Sequence, residues 1–84
     1  MDTIKLFIST DDAACAHVRD YLETWIVGRE DATLEIVPVL ENPVELIQLG
    51  INYTPALVVN GMVISQRCSV EEVKEWLVEN RLDT

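Results

Sequence analysis

The side chains with the most chemistry in this 84-residue chain are two thiols, Cys15 and Cys68. A thiolate attacks a disulfide, and a second thiol resolves the mixed disulfide that forms, so two cysteines brought into one site can run a redox cycle. An ordinary thiol, with a pKa of ~8.5, is only a few per cent thiolate at pH 7. Asp11 and Asp12, just ahead of Cys15, oppose its ionisation by like-charge repulsion. A helix starting beside them acts in the opposite sense, by about 1 kcal/mol. Cys15 therefore reads either as a buried packing residue or as a redox thiol. Cys68 reads either as its partner or as a half-buried residue beside Ser69. A bridge between them needs Cα atoms closer than ~7 Å.

Other chemistries find less support. Asp11, Asp12, Cys15 and His17 match no standard zinc spacing, and Cys15 and His17 diverge on a helix. No metal and no cofactor are expected. There is no glycine loop to cradle phosphates and no defensible Ser-His-Asp arrangement. Asp12 has a structural reading as a helix N-cap, worth about 0.5–2 kcal/mol. Its functional reading is a carboxylate presented to a partner in place of a thiolate.

Fifteen acids against six bases give a net charge of -9. Such a surface repels phosphate backbones and anionic lipid, so nucleic-acid and membrane partners are not expected. The charge reads as a solubility device or as a surface shaped for a basic partner. With 49% hydrophobic residues the chain has enough apolar surface for the core of one domain. No apolar run approaches the ~20 residues of a membrane helix. The first residues lack the basic start and apolar stretch of a signal peptide, and a cytoplasmic location is expected. Two cysteines do not make a disulfide scaffold.

The elements that position these residues follow from local pattern. Residues 4–9 are a short apolar, β-rich run and predict a strand. Thr10, Asp11 and Asp12 offer caps for a helix striped by Val18, Leu22 and Trp25, and Gly28 closes it. Residues 34–40 predict a second strand, placed at a sheet edge because Pro38 donates no ladder hydrogen bond. Asn42-Pro43-Val44-Glu45 reads as a helix start, with Asn42 as cap and Glu45 reaching back, and Gly50 ends this short helix. Ala56 to Val59 forms a third strand. Asn60-Gly61 is a hairpin turn leading into a fourth strand at 62–65. Ser69 and Glu72 form a capping box for a last helix striped by Val70, Val73, Trp76 and Leu77. Trp25 and Trp76 fall on apolar stripes and read as packing residues. The order β-α-β-α-β-β-α predicts an α/β fold with a four-stranded mixed sheet and helices on both faces.

Two segments carry a family resemblance. Asn52-Tyr53-Thr54-Pro55-Ala56-Leu57 resembles the Thr-Pro or Val-Pro segment that precedes the equivalent strand in thioredoxins and glutaredoxins. The resemblance implies a cis Thr54–Pro55 bond facing the active site. Phe7-Ile8-Ser9-Thr10-Asp11-Asp12-Ala13-Ala14-Cys15 is similar to the small glutaredoxin-like thioredoxins, whose first strand runs into Cys-x-x-Cys at the head of the first helix. In that register Cys15 is the second cysteine, and Asp12 stands where the first would be. The likeness covers nearly the whole chain and implies one thioredoxin-like domain over residues 1–84. Gln66-Arg67-Cys68-Ser69 is similar to the Gly-Gly-Cys-Ser or Gly-Gly-Cys-Asp segment beside glutathione in glutaredoxins. Cys68 and Ser69 fit, but the glycine pair is absent. Ser9 and Thr10 replace the lysine that glutaredoxins place before their first cysteine. These departures count against glutathione in the usual pose.

A carboxylate forms no disulfide, so the ordinary dithiol cycle is closed to Asp12-Ala13-Ala14-Cys15. The function expected is a non-dithiol module that binds a protein or extended peptide. Its surface is Tyr53, Thr54 and Pro55 with the head of the first helix, bordered by Arg67 and Ser69. The alternative is a residual thiol–disulfide oxidoreductase using Cys15 alone or with Cys68.

Overall fold

The computed structural model describes residues 1–80, so residues 81–84 of the expected domain lie outside it. Its elements run β1 (Asp2–Ile8), α1 (Ala13–Trp25), β2 (Ala32–Pro38), a 3-10 turn (Val39–Glu41), α2 (Pro43–Leu49), β3 (Ala56–Val59), β4 (Met62–Gln66) and α3 (Val70–Glu79). The four strands form one mixed sheet in the order β2-β1-β3-β4. β1 is parallel to β2 and antiparallel to β3, and β3 is antiparallel to β4. Among the described residues no helix is long and apolar enough to cross a membrane.

The central strands are apolar on both faces because both faces are covered. Ile4, Leu6 and Ile8 of β1, with Leu57 and Val59 of β3, pack against Cys15, Val18 and Leu22 of α1 and Val73 and Leu77 of α3. Phe7 and the alternate β3 residues Ala56 and Val58 pack on the other side against Leu46 and Leu49 of α2. Leu22 and Leu77 are 0% and 1% exposed. Burying a leucine side chain fully contributes about 1.5–3 kcal/mol. This two-sided packing fixes the ends of β1 and β3, where the thiols and the proline loop meet.

Local signals set several boundaries. Asn60 and Gly61 take φ of 52° and 83°, the doubly left-handed geometry of a two-residue hairpin. Asn60 also accepts from the Thr3 amide at 2.8 Å and donates to Asp2 at 2.9 Å, pinning the hairpin to the start of β1. Ser69 caps α3 by accepting from the Glu72 amide at 3.1 Å. The Glu72 carboxylate turns to the hydroxyls of Ser69 and Ser65.

Other expectations are corrected. The second strand ends at Pro38 rather than residue 40, and Val39–Glu41 form a 3-10 turn. Pro38 is the last residue of an edge strand, where its missing N–H costs no ladder bond. α1 ends at Trp25 with Ile26 as its C-cap, and Gly28 lies in the turn that follows, at φ 78°. Asn42 does not cap α2 with its side chain; its amide donates to the Pro38 carbonyl at 3.2 Å. Glu45 does not reach back either. It pairs with Lys5 of β1 at 3.1 Å, because the central strand brings an unpaired ammonium beneath α2.

Candidate functional site

The site is built where β1 runs into α1 and where the loop before β3 crosses that junction. Asp12 is the N-cap of α1, with φ -106° and ψ 120°, and its carboxylate accepts from the Ala14 amide at 2.8 Å. The carboxylate that stands at the expected nucleophile position is therefore exposed but already engaged by the helix end. One turn further, Cys15 points inward and is 0% exposed. The Ser9 amide donates to its sulfur at 3.5 Å. His17 is exposed on another side of α1. Among the described residues no group of three His, Cys, Asp or Glu side chains converges on a point that could hold a metal.

Ser9 is the hinge of the arrangement. Its amide faces Cys15, and its hydroxyl shares a 2.8 Å hydrogen bond with the Thr54 hydroxyl. That bond ties the end of β1 to the proline loop. The Thr54–Pro55 peptide is cis and Pro55 is buried. Cys68 lies beneath the loop: its amide and its thiol both donate to the Pro55 carbonyl, at 3.1 and 3.3 Å. Burial in this apolar setting pushes the Cys68 thiol up to about 11, opposed by its backbone hydrogen bond and reinforced by the negative charges of Glu72 and of an ionised Cys15. At neutral pH it is a protonated donor and not a nucleophile. Both thiols are free and share one core cluster.

Outside the loop, Tyr53 is 51% exposed and Arg67 stacks on it with its guanidinium 4.1 Å from the ring centre. Arg67 has φ 55°, a left-handed conformation that turns the chain from β4 towards Ser69 and sets its side chain over the tyrosine. Gln66 holds the other end of the loop. Its carbonyl accepts from the Asn52 and Tyr53 amides at 2.7 and 3.1 Å, and its amide donates to the Gly50 carbonyl at 3.4 Å. On the opposite flank, a recess of ≈ 170 Å³ opens at the carboxyl ends of the parallel strands β1 and β2. It is lined by Ile8, Ser9, Thr10 and Asp11 on one side and by Pro38, Val39 and Leu40 on the other. Crevices at the carboxyl ends of parallel strands are common ligand positions.

The structure thus joins Cys15 and Thr54 through Ser9 and holds Cys68 on Pro55, with Asp12, Tyr53 and Arg67 on the surface. Ser69 belongs to the α3 cap. Sequence reasoning missed the clamp role of Gln66, which lies 14 residues from Asn52 and 16 from Gly50; no local pattern announces such a contact. It also missed the doubled role of Ser9.

The sequence matches no family model and no curated protein. One solved structure similar to this chain is described as that of a malarial protein, with a TM-score of 0.74 over 98% of each chain at 12% identity. A likeness at that identity establishes the arrangement of elements and no activity. Fold and site together define a small α/β domain, with a four-stranded mixed sheet and two sheltered thiols under a proline loop.

Proposed function

We propose that this chain is a thioredoxin-like domain that works as a non-dithiol binding module, receiving an extended peptide or protein segment at the Tyr53-Thr54-Pro55 surface. One observation carries the reading. The single thiol in the Asp12-Ala13-Ala14-Cys15 segment is sealed from solvent, while Tyr53 on the proline loop is half exposed and held in place by Arg67. A surface that retains its loop, its aromatic contact and a neighbouring apolar recess can hold a ligand without attacking it. An extended segment lying along the loop can stack on Tyr53 and set an apolar side chain into the recess beside Leu40. The thioredoxin-like reading is supported by the cis Thr54–Pro55 bond ahead of β3 and by the element order.

The alternative is a thiol–disulfide oxidoreductase using Cys15 alone or with Cys68. It requires a reachable thiolate. A Cys15 at 0% exposure and a Cys68 thiol pushed up to about 11 weigh against it.

The test starts from peptides selected out of a displayed random library and titrated calorimetrically against the folded domain. Tyr53→Ala should weaken them about tenfold, as loss of an exposed aromatic anchor does. Val27→Ala, at an exposed apolar residue in the turn after α1, should leave them unchanged. If Tyr53→Ala leaves every selected peptide's affinity intact, the reading is wrong.

A further inference from the structure

A second surface lies at the β4 edge of the sheet, away from the recess between β1 and β2. Two adjoining recesses, of ≈ 250 and ≈ 310 Å³, run between β4 and α3 and share Ile64 and Trp76 in their lining. Trp76 and Ile64 are only half-buried, so apolar surface remains open along the groove. Glu72, Glu75 and Glu79 follow one another down the α3 side, spaced three and four residues apart, and Asp2 lies at the far end. Residues at that spacing share a helix face. Among the described residues no Lys, Arg or His lines either recess. Among the described residues none of these four acids has an ion-pair partner. Lys74, the base within α3, stands 5.3 Å from the Tyr21 ring towards α1.

We propose that this groove receives an extended, Lys/Arg-rich polypeptide segment. Such side chains are matched to it in both halves. Their aliphatic stems cover Ile64 and Trp76, and their charged heads reach the Trp76 ring face and the row of glutamates. The net charge of -9 steers a basic segment towards the protein and repels nucleic acid. A second copy of the chain is a poor occupant, since it would bring the same acids face to face. Edge-to-edge pairing is also hindered by β4 itself. Leu57 pairs with Ser65 and Val58 with Val63, leaving Ile64 as a bulge that breaks a regular ladder. The bulge goes with Ser65 donating to Glu72 at 3.3 Å, which fixes one carboxylate at the groove wall.

The test is an amide-resolved NMR titration of the domain with a synthetic peptide alternating arginine and valine, and with its glutamate-for-arginine counterpart. The arginine peptide should give saturable shifts confined to residues 62–66 and 72–80 and to the Trp76 indole. Its binding should weaken as salt rises from about 0.05 to about 0.3 M, because the contacts are exposed charges. The double variant Glu75→Lys, Glu79→Lys changes two exposed residues, and its unperturbed spectrum elsewhere reports an intact fold. It should bind about tenfold more weakly. Tyr53→Ala should bind normally, which separates this groove from the proline-loop surface. Shifts centred on Tyr53 and Thr54, undiminished binding by the double variant, equal binding of the glutamate peptide, or no saturation up to about 1 mM would each overturn the proposal.

Discussion

If Cys15 and Cys68 are packing residues, the folded protein should be nearly inert to thiol reagents. Cys15 is 0% exposed and Cys68 2%, so a reagent as large as glutathione disulfide must wait for an opening of the structure. A domain of 84 residues is stable by about 4–13 kcal/mol at 0.05–0.15 kcal/mol per residue. Even an opening of ~4 kcal/mol leaves only about one molecule in 10³ reactive at any moment. For Cys68 a further factor acts in the closed state. A thiol held at about 11, against its ordinary 9.0, has a thiolate population at pH 8 lower by about a hundredfold. The assay follows intact mass over time with excess glutathione disulfide, for folded protein and for protein unfolded in urea. Labelling of the folded form should be slower by roughly 10³-fold or more, and should accelerate along the urea unfolding curve. Glutathione on Cys15 at a rate within about tenfold of the unfolded chain would refute the reasoning and restore the oxidoreductase reading. Loss of the two thiol hydrogens without urea, marking a Cys15–Cys68 bridge, would do so more strongly.

Two stability predictions follow from the same site. Asp12→Ala removes the bond to the Ala14 amide and should cost about 0.5–2 kcal/mol by urea unfolding, whereas Asp12→Asn should retain most of the cap; an unchanged midpoint for the alanine variant would deny Asp12 its structural role. Cys68 should make stability fall at high pH. Its folded value is raised, so the unfolded chain gives up the proton first: below about 9 nothing changes, and the folded state's advantage is lost as pH climbs towards 11. The stability of the natural protein relative to Cys68→Ala should therefore shrink by about 2 kcal/mol between pH 8 and 11. A difference that stays flat across that range would contradict the burial of the thiol.

Much of the architecture was legible because it is written in short-range chemistry. Asp12 and Ser69 cap their helices, and Asn60-Gly61 turns its hairpin, since each needs only its own neighbours to act. The two-sided apolar character of β1 and β3 likewise announces strands buried on both faces. Expectations failed where a distant residue outcompeted a local one. Local spacing sets Glu45 to close a cap, but Lys5 approaches from a strand forty residues away in sequence and takes the carboxylate. Local spacing likewise sets Asn42 to cap α2, but the Pro38 carbonyl at the end of the preceding strand takes its amide.

The site divides in the same way. By itself the sequence determined that Asp12 is no thiol and that no dithiol cycle can run through the segment ending in Cys15, because that follows from residue identity alone. It also determined the acidic balance of the chain, fifteen acids against six bases. Only the tertiary structure decided that Cys15 is closed off under Ser9, that Cys68 donates to Pro55, that Gln66 straps the loop carrying Tyr53, and that Glu72, Glu75 and Glu79 border a groove along β4. Exposure, a thiol's ionisation and the convergence of side chains depend on what packs around them, and the sheet brings those neighbours from parts of the chain that no local pattern connects.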